Sequence, residues 1–270
     1  MKAIEIADEG RAEILEKHVH LGYSKPGVRY GCDYICVVEG SGVSGNLSDK
    51  EAATLDVSIT TVGQELYKSL KLPVLTGPAA EPYPILTHGG STVTGLLGIQ
   101  FAKTSRLRVV ATCSPGKSDY PRSLGADIRA LTDNALTVAW DCTGHGRGPV
   151  RARARGRPVE DPRQGAMVPA DEEALCRENP NVRVPPLFTL GYEIFSERCA
   201  FSWGKSPPKR DESEFTKALW ETSRGLLARG LIRTVDPVVN RGGAGLEDVL
   251  VGLEELRNCG VSAGKLVYAL

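Results

Sequence analysis

Between Tyr83 and Pro115 the chain changes its pattern three times, and that stretch constrains what the rest can fold into. Pro84–His88 is a short apolar run of the kind a buried parallel strand shows. Gly89 and Gly90 break it. Ser91 or Thr92 suits an N-cap, and Leu96, Leu97, Ile99, Gln100 and Ala102–Lys103 continue as a helix. Leu107–Thr112 is a second, valine-containing strand run. Strand, turn, helix, strand is a βαβ unit. Parallel strands need such a crossover, so the fold class is α/β.

A tight turn before a helix presents backbone N–H groups at the positive end of the helix dipole, where a pyrophosphate is stabilised. The strict G-x-G-x-x-G spacing is absent. Gly89-Gly90-Ser91-Thr92-Val93-Thr94-Gly95 keeps the first glycines and the last. This pattern suits a dinucleotide site and also an ordinary βα turn. In the first case Gly90, Ser91, Thr92, Val93 and Thr94 are the candidate contacts. The second strand then runs into Thr112-Cys113-Ser114-Pro115-Gly116-Lys117. NAD sites end that strand with an acid for the ribose 2′-hydroxyl. Here a hydroxyl and a lysine stand instead, which suits a 2′-phosphate and therefore NADP(H). The other reading of Lys117 is a solvated lysine after a strand.

GGSTVTG, ATCSP and AWDCTG, with GCDY, EAATL and the tail NRGGAGLEDVLVGLEELRNCGVSAGKLVYAL, resemble the medium-chain dehydrogenase/reductase superfamily. Within it they are most similar to the zinc-free fungal branch, the trans-acting enoyl reductases that serve polyketide synthases. The resemblance covers most of residues 28–145 and 166–270. It implies a Rossmann-type doubly wound parallel sheet in residues 56–228. A GroES-like, β-rich catalytic domain would be built from residues 1–55 and 229–270. It implies hydride transfer from NADPH to the β-carbon of an α,β-unsaturated thioester on the carrier protein of a partner synthase. The enolate would be held by hydrogen-bond donors and reprotonated at the α-carbon. By the same resemblance, Val261 and Ser262 lie near the nicotinamide ribose. The segment of Thr189, Leu190, Gly191, Tyr192 and Glu193 lines the substrate pocket. No catalytic residue is singled out.

The chain departs from the family in two places. The section before GCDY, with an Asn-Pro-x-Asp-Trp-Lys-type motif, is missing, and so is a strand and aromatic-glycine loop after it. The catalytic domain reads as internally shortened, and a cofactor-binding remnant with little turnover is the alternative. A reductase of a small free enone or quinone is a further one.

The remaining features bound the reading. No His is followed by Glu, and the seven cysteines are scattered without a C-x-x-C, so the family's zinc sites are not expected. Scattered cysteines suit reduced thiols in the cytoplasm. Lysine plus arginine equals aspartate plus glutamate, 33 each, which gives no global pull toward nucleic acid or a membrane surface. No apolar run reaches the ~20 residues of a membrane span. A monomer is expected.

Lys2–Ile6 and Ala12–Val19 read as strands around a turn at Glu9-Gly10. Ser48 and Glu51 form a capping box opening a helix over Asp49–Leu70, interrupted near Asp56–Thr61. Ile128–Leu131 and Leu136–Cys142 read as the third and fourth strands of the sheet. Residues 146–164 hold six arginines with little apolar periodicity and read as an irregular segment. Glu212–Arg229 and Leu246–Asn258 read as amphipathic helices, Arg233–Val239 and Lys265–Leu270 as strands.

Overall fold

The computed structural model describes residues 2–8, 11–16, 47–113, 138–142, 163–166, 191, 194, 199–201, 204–206, 210–258 and 260–269. β1 (Lys2–Asp8) and β2 (Arg11–Glu16) form an antiparallel pair, with Lys2 opposite Glu16 and Ile4 opposite Ile14.

α1 (Asp49–Ala52) starts at the predicted capping box. The Ser48 hydroxyl accepts from the Glu51 N–H, and the Glu51 carboxylate accepts from the Ser48 N–H at 2.9 Å. The predicted interruption at Asp56–Thr61 falls earlier, at residues 53–55, and Asp56–Gly63 is helix α2. The cause is local. Thr54 N–H donates to Glu51 and Leu55 N–H to Ala52, and the Thr54 hydroxyl also donates to Glu51, so the chain closes a tighter turn there. The β-branched run that follows stays helical because Ile59 and Val62 are fully buried. Tertiary packing outweighs a weak helix propensity.

Gln64–Ser69 continues α2 as a π-helical segment, closed by Leu70 N–H to the Glu65 carbonyl. Its wider turn accompanies four consecutive buried residues, Gln64 to Tyr67. Lys68 ties this segment to the later helix α4 through Asp211 (2.9 Å) and Glu212 (2.7 Å).

Among the described residues the central sheet is parallel throughout. β3 (Pro84–His88) pairs on one side with β4 (Arg108–Thr112) and on the other with β5 (Val138–Asp141), which pairs in turn with β6 (Arg163–Ala166). The order is therefore β4-β3-β5-β6. α3 (Val93–Thr104) is the crossover between β3 and β4. Side chains alternate in facing, as the period of two demands. Ile85, Val109, Ala111, Val138 and Trp140 share one core with Leu96, Leu97, Ile99 and Phe101 of α3. Leu86, Val110 and Ala139 form a second cluster, offset by one residue along each strand.

Arg163 and Gln164 close the predicted irregular segment, yet they are the first half of β6, paired with Val138 and Ala139. Main-chain N–H and C=O groups on the open edge of β5 need partners whatever the side chains are. Residues 146–162, the strand predicted at Ile128–Leu131 and the turn at Glu9-Gly10 lie outside the described residues.

β7 (Cys199–Phe201) and β8 (Gly204–Ser206) form a short antiparallel pair. α4 (Arg210–Ala228) buries Thr216, Leu219, Ser223, Leu226 and Leu227 as one face. Gly63 of α2 lets it approach closely, since a Cβ there would sit 2.0 Å from the Leu219 side chain. Gly230 (φ +66°) ends α4, with Gly230 N–H on Leu227 and Leu231 N–H on Leu226, a Schellman arrangement.

The strand predicted over 233–239 shrinks to β9 (Pro237–Val239). The Gln100 side chain donates to the Arg233 carbonyl (3.0 Å) and accepts from the Arg233 N–H (2.7 Å), so Arg233 needs no strand partner. Ile232 and Val235 lie in the α3 core although they follow the expected boundary at residue 229. Last come α5 (Leu246–Arg257) and β10 (Lys265–Val267), which pairs parallel with β9. α5 packs against β1 and β2, and α1 against β9.

Candidate functional site

β3 is followed by α3 and β4 on one side, and β5 lies on its other side. The crevice outside the carboxyl ends of β3 and β5 is thus a topological switch point, where open α/β sheets place their ligands. His88 ends β3, Thr112 ends β4 and Asp141 ends β5.

The glycine turn is fastened to this edge. Gly89 N–H (3.1 Å) and Gly90 N–H (2.8 Å) both donate to the Thr112 carbonyl. Gly89 adopts φ +80°, open to glycine at little cost. Gly90 is demanded by packing: a Cβ would lie 2.9 Å from that of Ala111. At Gly95 a Cβ would lie 2.3 Å from the Gly89 carbonyl oxygen, so the first turn of α3 sits directly on the loop.

Of the two predicted caps the structure selects Thr92. Its hydroxyl accepts from Gly95 N–H at 3.0 Å and donates to the Gly89 carbonyl at 2.8 Å. Thr92 N–H also goes to Gly89, at 2.9 Å.

These bonds divide the five predicted pyrophosphate contacts. Gly90 spends its N–H on Thr112 at the end of β4, and Thr92 spends its own within the turn. Ser91, Val93 and Thr94 keep theirs: among the described residues none of the three donates a backbone hydrogen bond. They stand at the N-terminus of a twelve-residue helix, so donors and dipole favour an anion together.

Two further groups border the edge. The His88 ring nitrogen Nδ1 is 2.6 Å from the Thr112 hydroxyl. Cys142 N–H donates to the His88 carbonyl at 2.9 Å. The Cys142 thiol is buried, and burial pushes it well above its ordinary value. The carboxylates of Asp141 and Glu65 add to this, and a hydrogen bond with Thr92 opposes it. A thiol held neutral in this way is inert as a nucleophile at neutral pH.

The tail reaches the same turn. Ala263 N–H donates to the Ser91 carbonyl at 3.1 Å, which brings the predicted Val261 and Ser262 next to the glycine turn. Val261 is half-buried and Ser262 exposed. The Ala263 contact and the His88–Thr112 pair were absent from the sequence-derived set. A histidine directly before the glycine pair was a visible signal. A main-chain contact from residue 263 to residue 91 leaves no trace in residue types.

Ser114, Pro115, Gly116 and Lys117 lie outside the described residues, as do Thr189, Leu190, Tyr192 and Glu193. Gly191 is half-buried within a short 3₁₀ turn. Among the described residues no group of three His, Cys, Asp or Glu side chains is placed to hold a metal ion. No helix among them is long and apolar enough to cross a membrane.

This frame, an all-parallel sheet among the described residues with a glycine turn after β3, is one that solved oxidoreductases share. The quinone oxidoreductase of Thermus thermophilus, solved with NADPH, matches it with a TM-score of 0.68 at 18% identity, over 100% of both chains. No family model matches the sequence. Curated relatives do. The trans-enoyl reductase ACTTS2 of Alternaria alternata is 33% identical over 242 residues, covering 84% of this chain and 67% of the relative. The trans-enoyl reductase resD of Aspergillus sclerotiorum is 30% identical over 325 aligned positions, covering 93% and 88%. The chain belongs to the trans-enoyl reductases. It spans about two thirds of ACTTS2, and its alignment with resD is longer than its own 270 residues, so the relative carries segments that it lacks.

Proposed function

We propose that this protein is an NADPH-dependent, trans-acting enoyl reductase. It would reduce an α,β-unsaturated polyketide thioester carried by a partner synthase, as a monomer in the cytoplasm. The observation that carries this is the set of unspent N–H groups of Ser91, Val93 and Thr94 at the N-terminus of α3, joined to the tail through Ala263. Those three N–H groups would hold the diphosphate. Ser114, Pro115, Gly116 and Lys117 would take the adenosine end and its 2′-phosphate, and Val261 and Ser262 the nicotinamide end. Thr189–Glu193 would line the acyl pocket. The bound dinucleotide supplies hydride, and the protein supplies position and electrostatics. We assign residues 56–228 to the cofactor unit, with the stretch from Ile232 to Val235 packed into its core, and residues 1–55 and the remainder of 229–270 to the catalytic unit. The packing of α5 on β1 and β2 supports that pairing of the chain's two ends.

The relative's extra segments favour one second reading, a cofactor-binding chain with little turnover. Binding through the phosphate turn is equal in ground and transition states and does not itself accelerate hydride transfer. Positioning does, and is worth up to about 7–11 kcal/mol. One preparation separates the readings: NADPH affinity by titration, and NADPH consumption with a carrier-bound enoyl thioester. Turnover in the ordinary range of roughly 1–10³ per second supports the reductase. Tight binding without turnover supports the second reading.

A further inference from the structure

We propose that the main chain at Ala263 is a positioning group for the anion-binding turn, so that docking of the tail and binding of a diphosphate reinforce each other. This rests on the cofactor reading above. The peptide unit between Ser91 and Thr92 is held at both ends: its N–H donates to Gly89 at 2.9 Å, and its carbonyl accepts from Ala263 at 3.1 Å. Fixing that plane sets the backbone on which the flanking donors, Ser91 N–H and Val93 N–H, are mounted. Among the described residues, the Ala263 bond is the one hydrogen bond between the glycine turn and the unit containing β9, α5 and β10.

The donor is held in an uncommon conformation. Ala263 has φ 59°, a left-handed value for which a residue with a Cβ is penalised. Such a residue persists where its surroundings over-determine it. Here they do. A Cβ on Gly264 would meet Val238 at 3.0 Å and the Asp236 carbonyl at 3.1 Å, and Lys265 N–H donates to that same carbonyl. The loop is thus anchored on β9 while its apex stays open, with Ser262 exposed. A segment with few buried contacts opens at low free energy, so a ligand that favours the docked turn shifts it measurably. Coupling of this kind is reciprocal.

The test is amide hydrogen exchange in peptides spanning Val261–Lys265 of the whole chain. It is measured free, with NADPH, and with the nicotinamide-free 2′-phospho-ADP-ribose, occupancy being fixed by calorimetry. Both ligands are expected to slow exchange there by about tenfold, within the usual range of site-to-site coupling. Protection by NADPH alone would mean that the tail answers to the nicotinamide and not to the turn, and would overturn the proposal. Binding of the nicotinamide-free ligand without protection overturns it equally. If calorimetry finds neither ligand bound, the cofactor reading fails and the positioning role of Ala263 fails with it. Ala263→Gly keeps the N–H and is expected to bind the nicotinamide-free ligand within about twofold of the parent. Ala263→Pro removes the N–H and cannot adopt φ 59°, so it undocks the loop from the turn; it is expected to weaken binding roughly fivefold or more. A folded Ala263→Pro protein, verified by thermal melting, that binds like the parent sinks the idea.

Discussion

At the scale of single residues, glycines decide how closely the layers approach. Gly98 of α3 faces Trp140 of β5, and a Cβ there would lie 2.0 Å from the indole ring. Trp140 is fully buried and has no room to retreat. Gly98→Ala should therefore destabilise the chain by about 1–3 kcal/mol despite the better helix propensity of alanine. Thermal melting should show a drop of several degrees, and Trp140→Leu in the same chain should restore part of it, since contacting residues are not additive. An unchanged melting temperature in the single variant would mean that the helix and strand are not in this contact. Only part of this was legible in the sequence. The glycines of the turn announced themselves by clustering. The partners of Gly63 and Gly98 did not, because Leu219 and Trp140 come from distant positions that only the folded chain brings near.

Elements were read well where one periodic face decides them. α3, α4 and α5 came from apolar spacing, and β3, β4 and β5 from short apolar runs. Reading failed where main-chain bonding outweighs side-chain type, as at residues 53–55 and in β6. It also missed the π-helical segment, whose burial of four successive residues has no sequence period. That segment makes a pH prediction. The Tyr67 hydroxyl is 3.1 Å from Ser105 Oγ and 3.4 Å from the Phe101 carbonyl, which joins the segment to α3. Burial pushes its pKa up from the ordinary 10.0, a hydrogen bond with Ser105 opposing. The raised value means that the folded state keeps the proton longer than the unfolded state does. The stabilisation is therefore complete below the unfolded value and declines as pH rises above about 10. Urea denaturation at about pH 8 and about pH 10.5 should show this loss, and Tyr67→Phe should show less of it. The buried Cys142 thiol, raised from 9.0, adds loss of the same sign from a lower pH and persists in that variant. Equal slopes in parent and variant would place the alkaline sensitivity elsewhere.

For the whole molecule the prediction concerns which dinucleotide the edge accepts. In the proposed reading Ser114 and Lys117 replace the acid that would hold an unphosphorylated ribose. A charge-assisted contact contributes roughly 1.5–3 kcal/mol, so NADPH should bind about tenfold or more tightly than NADH. Lys117→Ala should narrow that gap, and equal affinities in the parent would refute the assignment. The layered packing offers its own way to read the titration. Trp140 sits fully buried in the apolar core on β5, two residues before Cys142, at the end of the sheet where the dinucleotide would rest. Its emission should therefore be blue-shifted, and it overlaps the absorption of reduced nicotinamide. Excited at the indole, the chain should pass energy to bound NADPH and lose its own fluorescence in proportion to occupancy. Trp140→Phe should remove much of that signal. The side chain that locks helix to sheet would then double as a built-in optical gauge of the site.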